Sequence, residues 1–310
     1  MRHYGISRAE GNFYTLKNFK YLDELIHSGV NEIILDSNVI LDSDEQSKYF
    51  EGIALDICDI VIDGAGHTID GCGKTRIFKN TAQNVTVKNV ILKNGFSNEY
   101  GGAICNLGEL TVQNSAISNN QAFCGGAICN NNKLKIIDSE LSFNIANRKE
   151  SAGGAIYNEG VRLDIKGSQL SCNLANWGGA IFSEDSVMNL TCCEIFSNSS
   201  RDGGGTIYAE SGDLNIHKSS LWGNVSNLDG GAVWNQQAHI AIFDSKLSSN
   251  KSCHFSGAIE CYEGKLEIFN SLFSDNTAEY GGNAIFINNK KYLTLNDCTV
   301  DEDDISFNGS

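Results

Sequence analysis

Along most of the chain, apolar residues stand two apart with polar residues between them, and these short alternating runs recur at a nearly fixed distance. From residue 101 onward one block reads apolar, apolar at plus two, small at plus five, apolar at plus seven and Asn at plus ten, as in Leu110, Val112, Ser115, Ile117 and Asn120. The same offsets return from Leu134, Leu163, Met188, Leu214, Ile240, Leu266 and Leu293, the last copy ending on Asp303 in place of Asn. Alternation with period two predicts strands, and each run is too short to bury a face unaided.

A second block, Gly-Gly-Ala-Ile, opens each repeat at Gly101, Gly125, Gly153 and Gly178, with variants at Gly204, Gly230, Ser256 and Gly281. Its second position advances by 24, 28, 25, 26, 26, 26 and 25 residues. Variation in length falls between the Asn and the next Gly-Gly, or just after the Gly-Gly block, which marks the loops. This periodicity predicts an all-β fold, a right-handed parallel β-helix of about 10–11 coils in which each strand pairs with its equivalent one coil on. Like then rests on like at about 4.8 Å, giving Ile, Leu, Ser/Cys and Asn columns. The Asn amides are expected to point inward and bond to one another along the axis.

Before the first Gly-Gly, strands are expected around Ile33, Ile53, Ile60 and Val85, and Asn94, 26 residues ahead of Asn120, is expected to join the Asn column. Phe19, Leu22, Leu25 and Ile26 share one face of a short helix that Asn18 can cap and Gly29 can end. Such a helix would cover the open sheet edge of the first coil. The organisation read from this is an amino-terminal segment with capping helix over residues 1–30 and a single β-helix domain over 31–310, with the regular repeats spanning 101–303. The acidic run 301–304 is expected to blunt the far edge by charge.

Composition sharpens the picture in three places. The chain has no Pro, so every backbone N–H can join a ladder. Its net charge of −15 argues against nucleic acid and anionic membrane surfaces as partners. No apolar run approaches spanning length and the first residues lack a secretory pattern, so no membrane insertion is expected and the compartment stays open. A monomer is the expectation. Eleven cysteines without metal-binding spacing read as reduced core fillers, and no metal or cofactor is expected. Cys105 and Cys129 differ, because they hold one place in successive repeats and would lie within disulfide reach if those repeats stack.

Candidate chemistry is sparse. The residue after Ile in each Gly-Gly block is Cys105, Cys129, Tyr157, Phe182, Tyr208, Trp234, Glu260 and Phe286, and alternation turns it outward. Tyr157, Phe182, Tyr208, Trp234 and Phe286 thus form a candidate binding stripe for sugar rings or a partner protein; the other reading is that the rings stack on each other or lie under a loop. Asp63, His67 and Asp70 are the alternative polar cluster, readable as acid, base and orienter or as turn-capping residues. Asp138, Asp244 and Asp297 share a column that Gly167, Cys192 and Lys218 interrupt, which reads as turn chemistry. His217 and His254 stand isolated.

The Gly-Gly-Ala-Ile blocks with their apolar-x-x-Asn elements resemble the repeats of chlamydial polymorphic outer membrane proteins. The stretch from Ile62 to Gly71, followed by Arg76-Ile-Phe and by Asn84-Val-Thr-Val-Lys-Asn, resembles adhesin-like right-handed β-helix proteins of methanogenic archaea. The resemblance implies a pectin-lyase-like β-helix and surface adhesion, with a cell-surface or secreted location. The expected function is therefore a non-catalytic β-helix without catalytic residues that presents a rigid surface to a glycan or cell-surface protein. The alternatives are a carbohydrate-active enzyme of the same fold, a polysaccharide lyase or glycoside hydrolase, and an intracellular interaction scaffold.

Overall fold

The computed structural model describes residues 17–308. Residues 1–16 of the expected amino-terminal segment lie outside the described residues. The chain winds as a parallel β-helix of about ten turns, and every strand pairing among the described residues is parallel and joins the equivalent strand one coil away, in register except for a shift between Ala175 and Trp177. One coil shows the plan. After the Gly-Gly turn, Ile128–Asn130 joins sheet I, Lys133–Ile137 sheet II, Glu140–Ser142 sheet III and Ile145–Ala146 sheet IV. Sheets I and II each hold 11 strands, sheet III holds 10, and sheet IV holds 6.

Alternation fixes the inside and the outside. Ile104, Ile128, Ile156, Ile181 and Ile207 form one fully buried column, and Leu110, Leu134, Leu163, Met188 and Leu214 another. The expected offsets therefore place the core without a slip, since moving a strand by one residue would expose its apolar set. The Ser column lies at the corner between sheets II and III, where a backbone N–H donates to the next coil's hydroxyl wherever that residue is Ser, as from Ser115 to Ser139 Oγ at 3.1 Å and from Ser139 to Ser168 Oγ at 3.1 Å. The residue just before it turns the corner in the left-handed region: Asp138 at φ 48°, Lys218 at 49°, Asp244 at 50° and Asp297 at 53°. Turn geometry is what unites that mixed column.

The Asn column is a continuous inner row. Asn144 Nδ2 donates to Asn173 Oδ1 at 3.1 Å, Asn173 Nδ2 to Asn198 Oδ1 at 2.9 Å, and Asn224 Nδ2 to Asn250 Oδ1 at 2.9 Å. Its two expected end members lie elsewhere. Gly95 takes the place expected for Asn94, giving its N–H to Asn120 Oδ1 at 2.7 Å, while Asn94 sits one residue earlier at φ 53° and bonds Asp70. Asp303 is exposed in a short 3-10 turn, and past the acidic run the chain adds a further strand to sheet I, Ile305–Phe307. The far end is thus built out with a strand rather than ended by charge.

A second amide row, which the sequence reading passed over, follows the Gly-Gly-Ala-Ile block. Asn80 Nδ2 donates to Asn106 Oδ1 at 2.7 Å, Asn106 Nδ2 to Asn130 Oδ1 at 2.6 Å, and Asn130 Nδ2 to Asn158 Oδ1 at 2.6 Å. The Gly-Gly pair has two distinct jobs. Gly153 needs φ 64°, and a Cβ on Gly154 would stand 2.0 Å from Gly179 O. The second glycine therefore lets one coil rest directly on the next.

At the amino end the helix Phe19–Ile26 lays Phe19, Leu22 and Ile26 onto the core, with Leu25 partly buried beside them. Asn18 caps it by accepting from Tyr21 N at 3.1 Å. Glu45 completes the cap, accepting from Phe19 N at 3.2 Å and Lys20 N at 3.0 Å. A carboxylate on the first free N–H groups satisfies donors that the helix itself cannot.

Candidate functional site

The aromatic column does point away from the core, on the outer face of sheet I. Tyr157 stacks on Phe182 at 5.2 Å and 9°, Phe182 on Tyr208 at 4.9 Å and 20°, and Tyr208 lies 4.4 Å from Trp234. Much of the column is nevertheless covered. Phe123, Cys124, Ala152 and Trp177, from the segments leading into the Gly-Gly turns, pack over it as a small outer core, leaving Phe182 9% and Tyr208 7% exposed. Register stacking also turns ring faces toward each other, so a ring within the stack offers its edge and only a terminal ring keeps a free face. Phe286 is separated from the rest by Glu260 and stacks on Phe255 at 4.8 Å instead.

Glu260 is 5% exposed and its Oε2 is unpartnered as an acceptor. Burial first, and then the neighbouring Asp229, push its carboxyl up to about 9. It is therefore protonated at neutral pH, and its O–H has an acceptor in the Asp229 carboxylate. Asp229 in turn accepts from Phe255 N at 3.0 Å and lies 2.5 Å from His254 Nδ1. His254, isolated in the sequence, is thus the outer member of a three-residue chain. Asp229 and His254 come from the loops that precede the Gly-Gly turns of successive coils, a relation hidden until the coils stack. The trio holds a proton on Glu260 and links that buried carboxyl through Asp229 to His254 near the surface.

Asp63 and Asp70 end strands of two different sheets, Val61–Asp63 in sheet II and Thr68–Asp70 in sheet III. Asp63 Oδ1 accepts from Ala65 N at 2.9 Å and Asn89 Nδ2 at 3.0 Å. Against the opposing effect of burial, these bonds and Lys88 hold its carboxyl below the usual carboxylate range. Asp70 Oδ1 accepts from Cys72 N at 2.8 Å and Asn94 Nδ2 at 2.9 Å. Each carboxylate ties its own turn to the next coil. His67 lies in the corner between them, and its backbone N–H donates to Gly64 O at 2.7 Å.

A groove follows the corner between sheets II and III. One stretch of about 640 Å³ is lined by Asn89, Asn114, Asp138 and Gly167 with their neighbours, and a second of about 430 Å³ by Cys192, Lys218, Asp244, Asn270 and Asp297 with theirs. Charges of both signs line it. Two ring stacks that sequence reasoning missed stand on the adjoining outer faces. His217, Phe243 and Phe269 stack at 5.4 Å and 5.0 Å, each one residue before the corner. Phe196 and Trp222 stack at 4.6 Å and 2° on sheet III, whose outer face Trp222 shares with the groove residue Ser220. Trp222 is 40% exposed, and its neighbour one coil on is Ser248, so one indole face is free of rings. Phe269 is likewise followed by Asn296. Their signal was present in the repeat, as aromatic residues at one offset in consecutive copies.

Among the described residues no helix is long and apolar enough to cross a membrane, and no group of three His, Cys, Asp or Glu is placed to hold a metal ion. No protein-family model and no curated protein matches the chain. Among solved structures, the A-module of the mannuronan C-5 epimerase AlgE6 of Azotobacter vinelandii is similar with a TM-score of 0.41 and 12% sequence identity, over 87% of this chain and 79% of that one.

Proposed function

We propose that this β-helix is a non-catalytic binding protein that holds an elongated, uncharged glycan along the groove between sheets II and III. The observation that carries the reading is the pairing of an axial groove with uncovered terminal rings, Trp222 and Phe269, on its two flanking sheets. A free ring face suits the apolar face of a sugar. The mixed-sign lining, with Lys218 and Lys246 near Glu194, Asp244 and Asp297, gives a polyanion no advantage. In-register sheets supply the stiffness, and the resemblance to adhesin-like and polymorphic outer membrane repeats fits a role in surface attachment.

Binding of neutral and acidic polysaccharides to the full chain tests this. The double variant Trp222→Ala, Phe269→Ala is expected to weaken glycan binding at least tenfold, about 1.4 kcal/mol, with circular dichroism unchanged. Tyr208→Ala with Trp234→Ala is expected to lower the unfolding temperature and leave affinity within about twofold, as befits rings under a loop. Equal affinity of the first variant and the parent would remove the proposal.

A second reading, a carbohydrate-active enzyme, rests on Glu260, because glycoside cleavage uses a carboxyl that keeps its proton as the general acid. It requires substrate to reach a carboxyl under Trp234, Phe255 and Phe286. Turnover of any polysaccharide that is lost in Glu260→Gln would favour this reading over the first.

A further inference from the structure

Within the four sheets, Cys105 and Cys129 are the two cysteines that are register partners. Cys105, in the strand Ile104–Asn106, pairs directly with Cys129 in Ile128–Asn130, and both side chains turn to the outer face between a buried Ile and a buried Asn. Neighbouring parallel strands set their Cα atoms about 4.8 Å apart, within the span that a disulfide bridges. The two thiols thus project side by side from adjacent strands.

Their surroundings are unequal. Cys105 is half-buried, and its neighbour on the other side is Lys79. The Arg76 guanidinium is anchored close by, donating through Nε to Gly101 O at 2.9 Å and through Nη2 to Tyr100 O at 2.7 Å. Cys129 is 2% exposed and donates to Asn131 Oδ1 at 3.1 Å. The adjoining Cys129 side chain, against the opposing effect of burial and with help from Arg76 and Lys79, brings the Cys105 thiol down to about 6, while Cys129 is raised. The half-buried Cys105 sulfur is thus the one favoured as thiolate, and the sheltered Cys129 sulfur beside it the one that keeps its proton.

We propose that Cys105 and Cys129 form a thiol–disulfide exchange site, with Cys105 as the attacking and Cys129 as the resolving sulfur, that takes a low-molecular-weight disulfide of the glutathione class. The Cys105 thiolate attacks one sulfur of the small disulfide, breaks its S–S bond and releases one small thiolate, which takes up a proton. The Cys129 thiol then loses its proton to water, attacks the Cys105 sulfur and expels the second small thiolate. Two electrons pass from the protein thiols to the small disulfide, leaving one Cys105–Cys129 bond and two small thiols. The bond staples two successive coils across the outer face of sheet I, next to Tyr157. Cys192 and Cys193 do not compete as a pair, because consecutive residues point to opposite faces.

The test incubates the full chain with oxidised glutathione near pH 7, alkylates the remaining thiols under denaturing conditions, and reads intact mass and a non-reduced peptide map. The expected product has two fewer alkylatable thiols than the eleven of the reduced chain, carries no glutathione at these positions, and yields a linked Cys105–Cys129 peptide. Cys129→Ser is expected to hold a persistent glutathione on Cys105, and Cys105→Ser to leave Cys129 unmodified. Glutathione found instead on the exposed Cys58, Cys72 or Cys192, with Cys105 and Cys129 both alkylated, would overturn the assignment. The map of the parent chain decides even if a serine variant fails to fold.

Discussion

Replacing Asn173 with alanine is expected to cost about 3–6 kcal/mol of stability, a large share of what holds an ordinary domain folded. The side chain lies in the middle of the inner amide row and is almost fully buried. It accepts from Asn144 N at 3.0 Å and Asn144 Nδ2 at 3.1 Å, and donates to Leu141 O at 3.0 Å and Asn198 Oδ1 at 2.9 Å. Alanine leaves those groups buried and without partners, and each orphan costs about 1–3 kcal/mol. Neighbouring amides cannot rotate to compensate, since each already serves the coils on both sides. Urea unfolding followed by circular dichroism, read at the first transition, measures the loss. A change below about 1 kcal/mol would mean that water or relaxation replaces the row, contrary to its role as the axial tie.

Glu260→Gln is expected to make the protein more stable above neutral pH and to remove part of its pH dependence. The native carboxyl keeps its proton up to about 9, whereas the unfolded chain releases it near the ordinary value of 4.5. Between those limits unfolding therefore releases a proton, and stability falls as pH rises, by up to about 1.4 kcal/mol per pH unit. Below the window both states are protonated and the contribution is complete; above it both are ionised and the curve is flat. Glutamine cannot ionise and has nearly the same shape, so at pH 8 the variant is expected to exceed the parent by a few kcal/mol. Asp229 and His254 are common to both proteins, so the difference between the two profiles isolates Glu260. Parallel stability curves from pH 5 to pH 9 would show that the carboxyl is not held neutral. A gain in stability with a loss of turnover on any polysaccharide would instead show that the buried proton serves chemistry.

Repetition is what made the fold legible. A single alternating run cannot distinguish one sheet from another, but the constant offsets from Leu110 to Asn120 and its later copies allow one arrangement, with equivalent residues superposed. The same logic failed where repetition weakens. A spacing of 26 assigns Asn94 to the amide row, while the corner counts from Gly95, which has no side chain to announce itself. Sites were less legible for a related reason. Stacking of Tyr157, Phe182 and Tyr208 followed from register, but the cover supplied by Phe123 and Trp177 comes from the variable segments. The Asp229, His254 and Glu260 contact also joins variable loops to a strand, so no fixed spacing encodes it.

All strand pairing in this rod joins neighbours about 20–30 residues apart, as in Ile285↔Ile305 and Val39↔Ile69. For an all-β protein that is short range, because sandwiches and barrels of similar size must unite segments from opposite ends of the sequence. Each added turn closes a loop of the same modest length, at a nearly constant entropic cost. Growth can therefore proceed outward from whichever turn forms first, with the finished edge serving as template for the next segment. The helix over the first turn leaves one direction open, so a chain emerging from the ribosome can assemble in the order in which it is made.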